Sequence, residues 1–114
     1  MYIATPVNAR KEATLEEKRI AAMYRVMEII RLALKEFPDA DFHSAFDKDI
    51  APIDKESPSE AVIMGKCVQR VIECDVVIMD EGWQESRGCF IEYRVAKAYD
   101  KEIFRVNQQG ESKV

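Results

Sequence analysis

The stretch Cys74–Tyr99, CDVVIMDEGWQESRGCFIEYRVAKAY, decides the fold of this chain. It predicts a buried strand over Val76–Met79, a glycine-containing turn over Asp80–Gly88 and a helix over Ser86–Tyr99. A strand, a turn and a helix in that order form one half of an α/β unit. Because ligands of open α/β sheets bind where strands end and helices begin, we expect a binding site at this turn.

Glu92 breaks the pattern of the predicted helix. At roughly 100° per residue, Arg94 and Lys97 share one side of the helix, whereas Glu92 lies among the residues that should face the sheet. A carboxylate in that position loses water, so it needs partners or its pKa rises, which makes Glu92 a candidate catalytic group. The alternative is that Glu92 forms a salt bridge with Arg87 or Arg94, or reaches solvent at the rim.

Length and charge limit the classes of protein that the chain can represent. Its 114 residues suit one domain, which we place at residues 1–106, followed by a flexible tail at 107–114. The net charge of −4 without a basic block argues against binding of a nucleic-acid polymer. No apolar run approaches the ~20 residues of a membrane span, and the N-terminus does not read as a signal peptide. We therefore expect no membrane partner.

The cysteines predict a reduced, cytoplasmic protein. Cys67, Cys74 and Cys89 are odd in number and lie in apolar settings, which is typical of buried free thiols. With a single His, they do not match the spacing of a zinc site. We expect neither a metal nor a cofactor.

The first half of the chain predicts a strand and a long helix. Tyr2–Thr5 is interpreted as the first, central strand, ended by Pro6, and the loop after it lies at the carboxyl edge of the sheet. Thr14 and Glu17 have the spacing of a capping box at the start of a helix over residues 15–36. We expect the helix to bury an apolar stripe against the sheet. The stripe comprises Ile20, Met23, Tyr24, Met27, Ile30 and Leu34.

The remaining elements complete an α/β alternation. Residues 40–46 predict a second strand, with His43 in a structural role, and residues 47–58 a polar connection. A helix over residues 59–73, capped by Ser57 or Ser59, and a last strand at Ile103–Val106 follow. Alternating strands and helices predict a three-layer α/β/α sandwich, flavodoxin- or Rossmann-like, with a parallel sheet of four to five strands.

The turn residues suggest ligand contacts. Gly82 and Gly88 lack side chains and so allow close approach of a ligand. Ser86 either caps the helix or donates to an anion at its N-terminus. Trp83 either stacks on a base or sugar or packs inside the protein. The glycines do not form the G-x-G-x-x-G pattern of dinucleotide-binding proteins.

These residues resemble a known signature. Asp75 and the pattern G-W-x-x-S-x-G-x-x-x-E, which ends at Glu92, are similar to the strand–turn–helix of the nucleoside 2-deoxyribosyltransferase-like superfamily. The likeness extends to a small bacterial and phage group with this pattern, related to the 2′-deoxynucleoside 5′-phosphate N-hydrolases. The opening Tyr2-Ile3-Ala4-Thr5-Pro6 also resembles the family's first strand, where a Tyr precedes a substrate-binding loop.

The resemblance implies N-glycosidic chemistry on a deoxynucleoside, with the 5′-monophosphate favoured because Ser86 stands where the transferases carry an acidic residue. Glu92 matches the nucleophile that forms a covalent glycosyl-enzyme, and Tyr2 matches the active-site tyrosine. The resemblance also implies a homodimer or larger homo-oligomer. With the loop and strand-end positions, the expected substrate-binding residues are Thr5, Pro6, Asn8, Asp80, Gly82, Trp83, Ser86, Gly88 and Asn107.

Two departures keep other functions open. Cys67 stands where the family often has an Asp, and the first loop lacks the glycines that are common in the hydrolases. Either change indicates a different substrate or a loss of catalysis. The alternatives are a non-catalytic nucleotide-binding module and an interaction domain of the same fold.

Overall fold

The computed structural model describes residues 1–8 and 10–107 in full and the backbone of residues 112–113. Within that part of the chain the fold is α/β. Its strands and helices are β1 (Tyr2–Ala4), α1 (Leu15–Ala33), α2 (Glu60–Glu73), β2 (Val76–Met79), α3 (Arg87–Ala98), β3 (Glu102–Val106) and β4 (Ser112–Lys113), with a 3₁₀ turn at Trp83–Glu85 between β2 and α3.

Parallel pairing organises the sheet. The described strands are ordered β1-β2-β3-β4, with β1, β2 and β3 parallel and β4 antiparallel to β3. Tyr2 pairs with Val77, which in turn pairs with Ile103. Because the strands are parallel, Ala4 and Met79 end at the same edge of the sheet, and the loops that follow them meet there.

The two faces of the sheet bury different helices. Ile3 and Ile78 pack with Val26 and Ile29 of α1. Successive side chains of a strand point to opposite faces, so the neighbours of Ile3 and Ile78 turn the other way. That second cluster holds Tyr2, Ala4, Val77 and Met79 of the strands with Cys67 and Val71 of α2 and Cys89 and Ala96 of α3.

The helix starts confirm the predicted caps. The Thr14 hydroxyl oxygen accepts a hydrogen bond from the backbone N–H of Glu17 at 3.1 Å, and the hydroxyl donates to the Glu17 carboxylate at 2.9 Å. Ser59 caps α2 through the N–H of Val62, and Ser86 caps α3 through the N–H of Cys89, each at 3.4 Å. Each hydroxyl satisfies a backbone donor that the first turn leaves without an intrahelical partner.

Two predicted elements are shorter in the structure. Helix α1 ends at Ala33 rather than at residue 36. The predicted strand at 40–46 is reduced to one parallel bridge between Tyr2 and His43, with the N–H of Ile3 donating to the His43 carbonyl at 2.8 Å. The N–H of Ser44 turns to the Asp47 carboxylate at 3.1 Å, and this turn ends the pairing.

The prediction that the apolar stripe of α1 faces the core is wrong for most of its residues. The buried residues of α1 are Ala22, Val26 and Ile29. Ile20, Tyr24, Met27 and Leu34 are exposed by 40%, 68%, 52% and 40%. The helix carries apolar side chains on two faces, and the sheet covers the one with the smaller residues.

The C-terminal residues are described only in part. Ser112–Lys113 pairs with Arg105 and Val106, and residues 108–111 and 114 lie outside the described residues, so the flexible tail stays a prediction. In the described part of the chain, no helix combines the length and the apolar character that a membrane crossing requires.

Candidate active site

Glu92 lies in α3 and faces the interior of the protein. Its residue exposure is 5%, and it lines a cleft of about 580 Å³. Helix α3 begins directly after the turn at the carboxyl end of β2, so Glu92 is near the edge of the sheet where parallel strands end. The inward orientation predicted from the helical wheel is therefore the one observed.

Neutral hydrogen-bond donors surround the Glu92 carboxyl group. The Tyr2 hydroxyl donates to Glu92 Oε2 from β1, and the Cys67 thiol of α2 is a second hydrogen-bond partner. Among the described side chains, Glu92 forms no ion pair, and Arg87 instead binds Glu60 at 3.2 Å. The alternative that Glu92 is neutralised by a neighbouring arginine is not what the structure contains.

Burial sets the protonation of this group. Removal from water raises the pKa of Glu92 to about 7, and the hydrogen bonds from Tyr2 and Cys67 lower it. Burial and then the charge of Glu92 raise the pKa of Cys67 to about 12 and that of Tyr2 well above its ordinary value. The phenol and the thiol thus remain protonated at neutral pH, where the carboxyl group titrates.

The cleft is bordered by three helices and two loops, and its lining is mixed. Polar and apolar side chains both line it, as in many small-molecule sites. Its volume also falls within the usual range of ligand pockets, about 300–1,000 Å³. The lining residues include Thr5, Asn8, Leu15, Arg19, Ala45, Phe46, Ala51, Ser57, Pro58, Ile63, Met64, Ser86, Gly88 and Cys89.

The N-terminus of α3 opens into this cleft. Ser86, Arg87 and Gly88 line it in succession. A Cβ built on Gly88 would meet Met64 Sδ at 3.8 Å, an ordinary contact, so packing does not require glycine at this position. The first turn of a helix presents free N–H groups and a partial positive charge, which favours an anion.

Thr5 contributes an unsatisfied polar atom beside the cleft. It directly follows β1 and lines the cleft, and its buried Oγ1 has no hydrogen-bond partner among the described residues. A buried hydroxyl without a partner costs about 1–3 kcal/mol, and each such group calls for an explanation. A ligand that reaches this end of the cleft would remove the cost.

Sequence reasoning missed Arg19, a cation beside the cleft. Its Nη2 donates to the carbonyls of Ala51 and Pro52 at 3.1 and 3.0 Å. These bonds attach α1 to the segment that covers the cleft. The helical position of Arg19, one turn after the N-cap, gives no signal that it would meet residues 51–52.

Arg70 holds the same covering segment to α2. Its guanidinium forms ion pairs with Asp47 and Asp49, and Asp47 Oδ2 also lies 2.9 Å from His43 Nδ1. His43 is thus part of a supporting network outside the cleft, in agreement with the structural role predicted for it. No local pattern links Arg70 with residues 47–49, so the network was not predicted.

Several predicted site residues lie in a second pocket. Pro6, Asp80 and Gly82 line a cavity of about 300 Å³ together with Arg10 and Arg25. Asp80 is 3% exposed and forms ion pairs with Arg25 at 2.9 Å and Arg10 at 3.9 Å. Gly82 adopts φ 85°, which turns the chain away from β2. Asp80 therefore neutralises arginines and does not face Glu92.

Trp83 and Asn107 line neither cavity. The Trp83 ring is 8% exposed and stacks on Tyr93 with centroids 4.3 Å apart, and the Arg105 guanidinium lies 5.6 Å from the Trp83 ring. This is the packing alternative of the two interpretations. The Asn107 carbonyl accepts a hydrogen bond from Arg25 at 2.6 Å. The structure thus gathers Thr5, Asn8, Ser86 and Gly88 around Glu92, with Tyr2 behind it.

The fold and site define an α/β protein with a buried carboxyl group in a cleft at the carboxyl edge of a parallel sheet. A family model described as a domain of unknown function, DUF4406, matches residues 42–105, more than half of the chain. The chain belongs to this family. The match contains Cys67, Ser86 and Glu92 but not Tyr2. No curated protein and no solved structure matches the chain.

Proposed function

We propose that this protein cleaves or transfers the N-glycosidic bond of a deoxynucleoside, preferably its 5′-monophosphate, with Glu92 as nucleophile. The proposal includes a three-layer α/β/α arrangement of the flavodoxin or Rossmann kind, which the separate clusters on the two faces of the sheet support. The single observation that carries it is a buried carboxyl group at the wall of a ligand-sized cleft, with neutral donors and no ion-pair partner among the described side chains.

The contacts of Glu92 suit a nucleophilic role. In the first step, one carboxylate oxygen attacks C1′ of the sugar, the C1′–N bond breaks, and the base leaves with the bonding electrons and takes a proton from water. The Tyr2 hydroxyl donates to Oε2 and so orients the carboxyl group within the wall of the cleft. Water then hydrolyses the glycosyl ester, or a second base takes the sugar. Hydrolysis yields the free base and deoxyribose 5-phosphate.

The N-terminus of α3 suits the phosphate of the substrate. Ser86, Arg87 and Gly88 line the cleft there, and a neutral hydroxyl with free N–H groups favours a dianion more than a carboxylate would. Ser86 and Glu92 are about 9 Å apart along the helix axis at the usual rise, and both line the same cleft.

The test incubates the protein with a panel of deoxynucleosides, ribonucleosides and their 5′-monophosphates. Chromatography measures the free base that is released. We expect release from at least one deoxynucleoside 5′-monophosphate, loss of release in Glu92→Gln, and retention in Glu102→Gln, an exposed carboxylate outside the cleft. A 2′-fluoro analogue should add the mass of one glycosyl unit to wild type and none to Glu92→Gln. Absence of release across the panel would overturn the enzymatic proposal.

A second test concerns the phosphate. Aspartate also caps helices, so Ser86→Asp retains the cap of α3 while adding a negative charge. We expect the variant to lose its preference for 5′-monophosphates over the matching nucleosides, through a higher KM for the former. An unchanged preference would place the phosphate elsewhere.

Cys67 favours a second candidate, a non-catalytic nucleotide-binding module of the same fold. Its thiol remains protonated and cannot act as the carboxylate that often occupies this position in the resembling family. This candidate predicts that nucleotides raise the Tm without turnover, because a ligand that binds only the folded state stabilises it. Turnover by wild type with loss in Glu92→Gln would exclude it.

A further inference from the structure

We propose that the outer face of α1 is a self-association surface on which a second copy of this chain packs antiparallel, with Tyr24 at the two-fold axis. The surface comprises Glu17, Ile20, Tyr24, Met27, Arg31 and Leu34 and is called the α1 seam below. The inference does not depend on the proposed function, because it concerns the side of α1 that faces away from the sheet.

The four apolar side chains of the α1 seam are exposed in the described structure. Tyr24 and Met27 are exposed by 68% and 52%, and Ile20 and Leu34 by 40% each. The inner face of the same helix is already packed, through Val26 and Ile29, against Ile3 and Ile78. The α1 seam therefore does not contribute to the hydrophobic core of a single copy. Clusters of exposed apolar side chains mark interaction sites.

The spacing of the seam is that of a helix-pairing surface. Its residues recur at alternating intervals of four and three, the pattern of helices that pack along one another. At roughly 100° per residue, Ile20 and Met27 point within about 60° of Tyr24 and to the same side of it. Glu17 and Arg31 point within about 20° of Tyr24, so both lie on the centre line of the seam.

Charge complementarity identifies the occupant as a second copy. Glu17 and Arg31 lie equally far along α1 on either side of Tyr24. In an antiparallel pair centred on Tyr24, Glu17 of each copy meets Arg31 of the other, and the two Tyr24 side chains meet at the axis. Arg31 has no ion-pair partner in residues 1–8 and 10–107, whereas the neighbouring Arg25 is bound to Asp80 and Glu28. An isologous interface requires such self-complementarity.

A parallel arrangement would oppose like charges. There Glu17 would face Glu17 and Arg31 would face Arg31, and both contacts are repulsive. An anionic membrane fits less well than a second copy, because membrane-bound amphipathic helices are rich in Lys and Arg, whereas α1 also carries Glu16, Glu17 and Glu28. The sequence of α1 thus selects both the partner and its direction.

The first test is the oligomeric state of the full chain by sedimentation velocity over a hundredfold range of concentration. We expect a reversible dimer that Tyr24→Lys or Met27→Lys weakens about tenfold or more, since each buries a charge in the interface. Tyr99→Lys is the matched control, because Tyr99 is 57% exposed and lies outside the seam. Circular dichroism and Tm verify that each variant folds.

The second test fixes the direction of the helices. Under mild oxidation, Tyr24→Cys should form a disulfide between copies, because its Cβ atoms meet at the axis, whereas Glu17→Cys should not, being about 20 Å from its equivalent. The natural cysteines are buried and do not compete. Linkage through Glu17→Cys would overturn the antiparallel pairing. A monomer at all concentrations, or a dimer unaffected by Tyr24→Lys, would overturn the proposal, and binding of that monomer to anionic vesicles would assign the seam to a membrane surface.

Discussion

Asp80 and Glu92 are both buried carboxyl groups near the carboxyl end of β2, yet their surroundings are opposite. Asp80 has Arg25 at 2.9 Å, Arg10 at 3.9 Å and the N–H of Glu81 at 2.8 Å. Glu92 has a phenol and a thiol. The difference teaches that burial alone does not identify a functional acid. Two arginines form ion pairs with Asp80, whereas Glu92 has neutral donors and a pKa that burial raises to about 7, so Glu92 can change its protonation state near neutral pH.

Substitution of Glu92 should have the greatest effect on activity. Glu92→Gln retains the shape of the side chain and removes the proposed nucleophile, so we expect the rate of base release to fall by about 10³-fold or more. The folded state should remain, because glutamine accepts the Tyr2 hydrogen bond. Rates measured by chromatography, with Tm as the control for folding, check this. A variant with more than a tenth of the wild-type rate would contradict the assigned role.

The second effect falls on stability and concerns Asp80. Arg25→Met removes its main cation and leaves a buried charge compensated only by the distant Arg10, which should lower the free energy of unfolding by about 3–5 kcal/mol. Urea denaturation measures the change. Arg25→Met combined with Asp80→Leu should recover much of the loss, since neither charge then remains buried. If the single variant is as stable as wild type, the ion pair does not have the structural role given to it.

The third effect is the pH dependence of stability. Glu92 has an ordinary pKa of 4.5, which burial raises to about 7 in the folded protein. Between these two pKa values the folded state holds a proton that the unfolded state has released. Glu92 therefore makes the free energy of unfolding fall as the pH rises from 4.5 to 7, and it causes no further change above pH 7. The loss is about 3 kcal/mol. Urea unfolding from pH 4.5 to 8 should show it in wild type and not in Glu92→Gln, and equal slopes in both would refute it.

The smallest effects concern the donors. The Tyr2 hydroxyl and, to a lesser degree, the Cys67 thiol lower the pKa of Glu92. Since the nucleophile must be ionised, Tyr2→Phe should move the rising limb of the pH–rate profile to higher pH, and Cys67→Ala should move it less in the same direction. Tyr93→Phe, which removes a hydroxyl outside the cleft, is the matched control. A shift of the rising limb to lower pH in Tyr2→Phe or Cys67→Ala would contradict the assignment of these groups as hydrogen-bond donors to Glu92.

The sequence predicted the strand Val76–Met79 and the helix after it because each depends on local chemistry. The prediction that Tyr2–Thr5 is the central strand is wrong, since β1 is the first in the strand order and, among the described residues, has only the His43 bridge on its other side. Val76–Met79 is a continuous apolar run, and Ser86 is a strong N-cap, so the strand and the start of α3 follow from the residues themselves. The orientation of Glu92 followed from these boundaries, since once a helix begins at Arg87 its wheel is determined.

Other features depend on contacts between distant parts of the chain and were not predictable in this way. Periodicity identified an apolar stripe on α1 but could not decide whether the sheet or another surface would cover it. The left-handed Gly82 directs Trp83 onto Tyr93, and the arginines that bind Asp80 come from far earlier in the sequence. These long-range contacts are the reason why the predicted site residues lie in two separate cavities.

Arg70 has a consequence for the entry of a ligand. Because one guanidinium binds both Asp47 and Asp49, the segment above the cleft cannot lift away without breaking two ion pairs together. The opposite rim, at Val7 and Asn8, is fastened by hydrogen bonds to two carbonyls. Because salt screens ion pairs more than hydrogen bonds to carbonyls, added salt should loosen residues 47–49 more than residues 7–8.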